Sequence, residues 1–270
     1  MTRVRVDPSW LALREPADAA ARAGELIDEL RRSLPADRPV VIHDLACGTG
    51  AMLRWLAPQL PGPQHWITHD VDADLLAVLD AGPGTFAADG TVVTLEVSRK
   101  DVTRLGSDEL ADAALITGSA VLDLLTADEL LRFVHTCAAV QCPVLLTLTV
   151  TGAVRFEPAH PLDDAVTTAF NAHQRRTLGD RTLLGPEAAG MVTRMFTDLD
   201  REVVTRTSVW RLGAATPELA REWLLGWLAA ACEQDPWLAR EIDAYALQRL
   251  DEVAGGRLRV LVSHQDLLVR

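Results

Sequence analysis

At 270 residues the chain is long enough for one large domain with a sizeable core, and a 49% hydrophobic content excludes disorder over most of its length. A net charge of −12, with Lys100 as the only lysine, argues against a general nucleic-acid binder, which needs a basic face. The four cysteines, Cys47, Cys137, Cys142 and Cys232, show no C-x-x-C spacing and no neighbouring histidine pair, so neither a metal site nor a disulfide framework is expected.

Trp10 to Leu13 reads as a short apolar piece. From Asp18 onward Ala19, Ala23, Leu26, Ile27, Leu30 and Leu34 recur at three- and four-residue steps, which predicts one helix ended by Pro35 and Pro39. Val40-Val41-Ile42 predicts a buried strand ending at Asp44. A small-residue turn, Ala46 to Gly50, and a helix from Ala51 to about Pro58 follow. Strand, glycine turn and helix in that order form the ligand-cradling corner of a doubly wound sheet. Gly48 and Gly50 let backbone approach a ligand closely, and Cys47 needs only to be small there.

His65 to Asp70 predicts the second strand, with a helix from Asp72. An acid at this strand end can accept both hydroxyls of a ribose; Asp70 is the candidate, and Asp72 competes if the strand runs longer. Thr91 to Val97 and Ala113 to Thr117 predict strands three and four. Gly118 to Leu125 predicts a turn and helix start, and Thr126-Ala127-Asp128-Glu129 an N-cap leading into Leu130 to Ala139. Val144 to Val150 predicts a fifth strand covered on both faces. Asp164 to Arg176 is helix-like but dense in polar groups, and Gly179 to Glu187 reads as a loop before a helix from Glu187 to Phe196. Glu202 to Leu212 and Arg257 to Arg270 alternate as strands. Between them lie two helices, Pro217 to Cys232 and Pro236 to Val253.

Asp44-x-Ala46-x-Gly48-x-Gly50 resembles motif I of class I S-adenosylmethionine-dependent methyltransferases, D/E-x-G-x-G-x-G, with Ala46 in place of the first glycine. Leu53 stands where a dinucleotide fingerprint needs its third glycine, which disfavours a nicotinamide-dependent dehydrogenase. The resemblance covers most of residues 38–270. It implies an α/β fold: a doubly wound seven-stranded methyltransferase sheet with an antiparallel last strand, plus an N-terminal helical addition and helical insertions. The implied division is a helical cap at 1–37 and a methyltransferase domain at 38–270, with a substrate insertion at 153–190 and helices at 216–254. Trp10 to Ala21, Phe170 to Arg175 and Leu184-Gly185-Pro186 look like an actinobacterial-type branch.

The implied cofactor is S-adenosylmethionine. The resemblance assigns it Asp44, Ala46, Cys47, Gly48 and Gly50 from the first corner, Asp70 and Val71 for the ribose, and Asp101 and Val102 for adenine. Ser119 comes from the turn after strand four that faces the methyl group, and Arg22 or Arg14 from the cap could reach the methionine carboxylate. For Asp101 a plain surface carboxylate, and for the arginines a solvated helix face, are the alternatives. Methyl transfer needs alignment and exclusion of water, and a base only for a hydroxyl or protonated amine. His173 is the expected base, with Asn171 and Arg175 beside it. Residues two apart lie about 200° around a helix, however, so His173 cannot share a face with the other two unless the helix ends near it. Arg175 and Arg176 give a weak preference for a carboxylate-bearing small molecule, methylated on oxygen or nitrogen. A non-catalytic protein that keeps the cofactor pocket is the alternative. No run approaches membrane-spanning length and the N-terminus has no apolar leader core, so a cytoplasmic protein without membrane partners is expected. A homodimer through the helices after Pro217 is left open.

Overall fold

β-Branched runs and helical connections alternate along the chain. The computed structural model, which describes residues 6–35, 37–80 and 84–270, winds them into one sheet covered on both faces. The elements are α1 (Pro8–Ala21), α2 (Glu25–Ser33), β1 (Val40–Leu45), α3 (Ala51–Leu56), β2 (Gln64–Asp70), α4 (Ala73–Asp80), β3 (Thr94–Arg99), β4 (Leu115–Ser119) and α5 (Ala127–Ala139). After these come β5 (Val144–Glu157), α6 (Asp163–Gln174), a small hairpin of β6 (Thr177–Leu178) and β7 (Arg181–Thr182), and α7 (Ala188–Asp198). The chain closes with β8 (Val203–Leu212), α8 (Pro217–Gln234), α9 (Leu238–Ala254) and β9 (Arg259–Val269). The sheet order is β3-β2-β1-β4-β5-β9-β8. The first five strands in sequence are parallel, and β9 runs antiparallel to both its neighbours, as the sequence led us to expect.

Each face is closed by the apolar stripe of its helices. Leu26, Ile27 and Leu30 of α2, Met52 and Leu56 of α3 and Leu76 of α4 pack on Ile42, Trp66 and Leu145. On the other face Leu130, Phe133 and Val134 of α5 and Val192 and Phe196 of α7 pack on Ile116, Leu146 and Leu267. The predicted start of α5 is a capping box: Glu129 N donates to Thr126 Oγ1 at 3.2 Å and Thr126 N to the Glu129 carboxylate at 2.9 Å.

A third core decides where a ligand can sit. β5 is twice as long as the Val144 to Val150 run suggests, because past its last contact with β4 it stays paired to β9 through Glu157. Its register slips after Leu146 and again after Val150, with Leu148 and Gly152 at φ of 56° and 77°. The β5–β9–β8 ribbon so formed rises beyond the carboxyl edge of the parallel strands. Phe156, Trp210, Val260 and Val262 on it bury against Val166 of α6, Leu219, Trp223, Leu224 and Trp227 of α8, and Leu238, Ile242 and Tyr245 of α9. α1 joins this cluster through Trp10 and Leu13.

Three sequence readings are corrected. The N-terminal segment is two helices, not one from Asp18 preceded by a loose apolar piece. α1 starts at Pro8, capped by Asp7, and the chain turns extended at Arg22 before α2. The break is held by a partner far away in sequence, Asp266, whose Oδ2 accepts from Ala23 N at 2.8 Å. β3 begins at Thr94 rather than Thr91, since β2 offers partners only from His65 to Asp70. Gly118 to Leu125 forms the end of β4 and a single 3-10 turn, Leu122–Leu124, with no α-helix before Ala127. The N-terminal residues 1–5 and Ala81 to Pro83 of the glycine- and alanine-rich loop lie outside the described residues. No helix among the described residues is long and apolar enough to cross a membrane.

Candidate active site

The carboxyl ends of β1, β2 and β4, the ribbon, and helices α1, α6 and α8 line one continuous, open-mouthed cavity of about 1440 Å³. Asp44, Ala46, Cys47, Gly48, Asp70, Val71, Asp101, Val102, Ser119 and Arg22 all line it. Gly50 does not. A Cβ there would meet Leu79 Cδ1 at 2.3 Å, so its missing side chain lets α3 start against α4 rather than clearing room for a ligand. Ala46, in place of the motif's first glycine, takes φ of 55°, the left-handed conformation that a glycine would adopt more cheaply.

Asp44 is buried. Its Oδ1 accepts from Thr117 Oγ1 at 2.7 Å, and its Oδ2 has no partner among the described residues. Burial pushes its carboxyl up to about 7, against the lowering effects of Thr117 and of the Arg22 guanidinium. Arg22 is buried too, held by Thr147 Oγ1 at 3.4 Å and Ser119 Oγ at 3.1 Å, while its Nη1 has no partner among the described residues. An unsatisfied acceptor and an unsatisfied donor therefore face one cavity, each within the other's field. Asp70 anchors the glycine turn: Oδ2 accepts from Gly48 N and Oδ1 from Asp72 N, both at 2.9 Å. Asp72, the competing ribose candidate, also lines the cavity and caps α4 by accepting from Asp74 N at 2.9 Å. Asp101 accepts from Thr103 N and Thr103 Oγ1 at 3.1 and 2.7 Å. Burial raises the Cys47 thiol well above its ordinary value, which keeps it a packing group.

On α6 the structure separates the expected catalytic set. Asn171 lines the cavity; its Nδ2 donates to Gly152 O at 2.9 Å and its Oδ1 is left free. A Cβ on Gly152 would lie 2.8 Å from that same nitrogen, so the strand slip at Gly152 is what admits Asn171. Gln174, one turn on, lines the cavity as well. His173 and Arg175 do not. His173 Nε2 lies 3.3 Å from Glu233 Oε2 on α8, and Arg175 lies 3.7 Å from Glu187. The helix does end near His173, at Gln174, yet the ring stays on the face about 200° from Asn171, packed toward α8 and away from the cavity. Arg176 folds back onto the His173 carbonyl at 3.0 Å and is no more available to a ligand.

Sequence reasoning missed the far half of the cavity. Trp10, Phe170, Trp210, Trp223 and Trp227 supply aromatic walls, and Asp123 and His264 supply polar groups. Trp223 and Trp227 read as the apolar face of a helix, which they are; that one edge of this face would border a cavity depends on β8, β9 and α1. Asp123 did leave a signal, an acid inside the apolar run Val121-Leu122-Asp123-Leu124.

No protein-family model and no curated protein sequence matches the chain. Solved structures do. A cyclopropane-fatty-acyl-phospholipid synthase-like protein from Lactobacillus casei superposes with a TM-score of 0.54 at 14% identity, over 97% of this chain and 92% of that one. A cyclopropane synthase from Mycobacterium tuberculosis gives 0.52 at 14% identity, over 98% and 95%. A mycolic acid cyclopropane synthase crystallised with SAH and CTAB gives 0.50 at 12% identity, over 91% and 83%. The fold is that of the class I S-adenosylmethionine-dependent methyltransferases. Within that methyltransferase fold the glycine turn, the β2 acid and the β4 turn of this chain converge on one cavity.

Proposed function

We propose that the protein transfers the methyl group of S-adenosylmethionine to a small-molecule acceptor. The observation that carries this reading is the pair of orphans beside the glycine turn. Asp44 Oδ2 is a buried acceptor and Arg22 Nη1 a buried donor, which together complement the ammonium and carboxylate of an α-amino acid. Along the same edge, Asp70 and Val71 and then Asp101 and Val102 offer acceptors beside apolar surface, as a ribose and an adenine require. Bound there, S-adenosylmethionine would supply a methyl group already activated by its sulfonium. The chain's own task is then to hold the acceptor in line and keep water out. The N-terminal cap serves this by walling one side of the cavity with Trp10, Leu11 and Arg14 of α1. A neighbour of this fold was crystallised with SAH, which fits the same reading.

Calorimetric titration with S-adenosylmethionine, S-adenosylhomocysteine and NAD tests it. Micromolar binding of the first two and none of NAD is expected. Asp70→Ala should weaken binding by about 1.5–3 kcal/mol, the scale of charge-assisted hydrogen bonds. Tighter binding of NAD would overturn the assignment.

A further inference from the structure

The cavity exceeds the roughly 300–1,000 Å³ of a site for one small molecule, so a chamber for a second ligand remains beside the cofactor residues. Its chemistry can be read from what it leaves unsatisfied. Asp123, on the 3-10 turn after β4, lines the cavity; among the described residues its buried Oδ1 has no hydrogen-bond partner and its carboxylate no ion pair. Two of the lining cations hold carboxylate partners at close range, and the field of one of them, Arg14, also reaches Asp123. Arg14 is clamped by Asp18 at 2.9 and 3.2 Å, and Arg181 by Glu129 at 3.0 and 2.7 Å. Toward the nucleoside end Lys100 is paired with Glu109, Arg104 with Asp101, and Arg99 donates to Val71 O. Arg132 and Glu222 are exposed, the latter paired with Arg221. Asp123 thus faces the chamber as a carboxylate with no ion-pair partner at contact distance among the described residues.

The remaining surface agrees with that charge. Asn171 presents Oδ1 as a second free acceptor, and its orientation is fixed because Nδ2 is committed to Gly152 O. The walls are indoles and a phenyl ring: Trp223 and Trp227 stack 5.6 Å apart, Phe170 lies 6.4 Å from Trp227, and Trp10 meets Trp210 edge-on at 6.5 Å. Aromatic faces attract cations and repel carboxylates. Trp227 Nε1 is the one orphaned donor among these rings, and it calls for a single acceptor elsewhere on the ligand.

We infer that the acceptor is an amine on an apolar or aromatic body, held as its ammonium by Asp123 and Asn171 and methylated on nitrogen. This rests on the methyltransferase reading and replaces the carboxylate-bearing acceptor that Arg175 and Arg176 suggested, since both turn away from the cavity. The ammonium proton passes to Asp123 and on to water. The freed nitrogen lone pair forms the new bond to the methyl carbon while the carbon–sulfur electron pair stays on sulfur. Asp123 is suited to this: burial lifts its carboxyl to about 6, so it holds a proton weakly near neutrality.

The full chain, titrated by tryptophan fluorescence with 2-phenylethylamine, 2-phenylethanol and 3-phenylpropionate, tests the inference, with S-adenosylhomocysteine affinity measured in parallel by calorimetry. The amine should bind at least tenfold more tightly than the alcohol or the acid. Asp123→Asn should bring amine and alcohol within about threefold while leaving S-adenosylhomocysteine affinity within about twofold. Equal affinities, no binding of any probe, a preference for the acid, or an amine preference that survives Asp123→Asn would each overturn the proposal. Amine binding without S-adenosylhomocysteine binding would support the amine site and overturn the methyltransferase reading on which the reaction rests.

Discussion

Buried at the end of β1, Asp44 accepts from Thr117 and leaves its second oxygen unsatisfied, and burial raises its carboxyl from an unfolded value near 3.8 to about 7. Between those two pH values the folded state binds the extra proton, so this group's contribution to stability falls as pH rises, and the cost is complete above 7. Asp44→Asn keeps an acceptor for Thr117 and removes the charge. It should stabilise the ligand-free protein by about 1–3 kcal/mol at pH 8, with the gain shrinking toward pH 5, as read by chemical denaturation. The same variant should weaken S-adenosylmethionine binding about tenfold or more. His69 and His264 slope the other way. Both are held near 4 by burial, and both withdraw stability as pH falls from 6.5 through 4. Motif I made Asp44 legible because the strand, the acid and the glycines are consecutive in the chain. Nothing local showed that Arg22 would lie opposite it.

Among the elements, the junctions rather than the bodies were hard to read. Ala19 to Leu34 carries an unbroken helical periodicity, yet the chain breaks at Arg22, because Asp266 on β9 captures Ala23 N from 243 residues away. The same carboxylate accepts from Leu148 N at the first slip of β5, at 2.7 Å, and from Ser208 Oγ on β8, at 2.6 Å. One side chain therefore fixes the break between α1 and α2, the bend in β5 and the position of β8. Asp266→Ala strands three donors in a dry core. A loss of about 2–4 kcal/mol is expected by denaturant titration, with cofactor affinity reduced as well because Arg22 follows the break. Periodicity could not reveal this. Asp266 occupies an ordinary slot in an alternating strand, and its partners come from three other segments. On α6, by contrast, the helical geometry foretold that Asn171 and His173 would face opposite ways, and only the choice between them had to come from the structure.

Across the whole molecule, the strands of the sheet and its antiparallel last member were legible and the chamber was not. Strands announce themselves through their own residues, whereas the acceptor chamber is assembled from α1, α6, α8 and the ribbon, none of which has a ligand-binding signature alone. What holds those walls together is a buried ionic knot under α9. Arg249 reaches Asp163 on α6 at 2.6 and 2.8 Å, Glu252 at 2.7 Å and Pro158 O at 2.9 Å. It lies over the rings of Phe156 and Tyr245. Tyr245 also donates to Asp163, at 2.7 Å. Arg249→Met fits the space and abandons two carboxylates. It should cost about 3–5 kcal/mol in equilibrium denaturation, far more than the loss of any exposed ion pair on the surface.

The place of β9 also sets a timetable. It is the last strand of this sheet to be made, yet it lies between β5 and β8. From the end of β5 at Glu157 to the end of β9 at Val269 the ribosome adds 269 − 157 = 112 residues, roughly 6–22 s of synthesis at ~5–20 residues per second. Throughout that interval the outer edge of β5, a run of leucines, valines and threonines, has no partner of its own. It is open to pairing with another nascent chain. The strand that completes the sheet is also the strand that covers this edge.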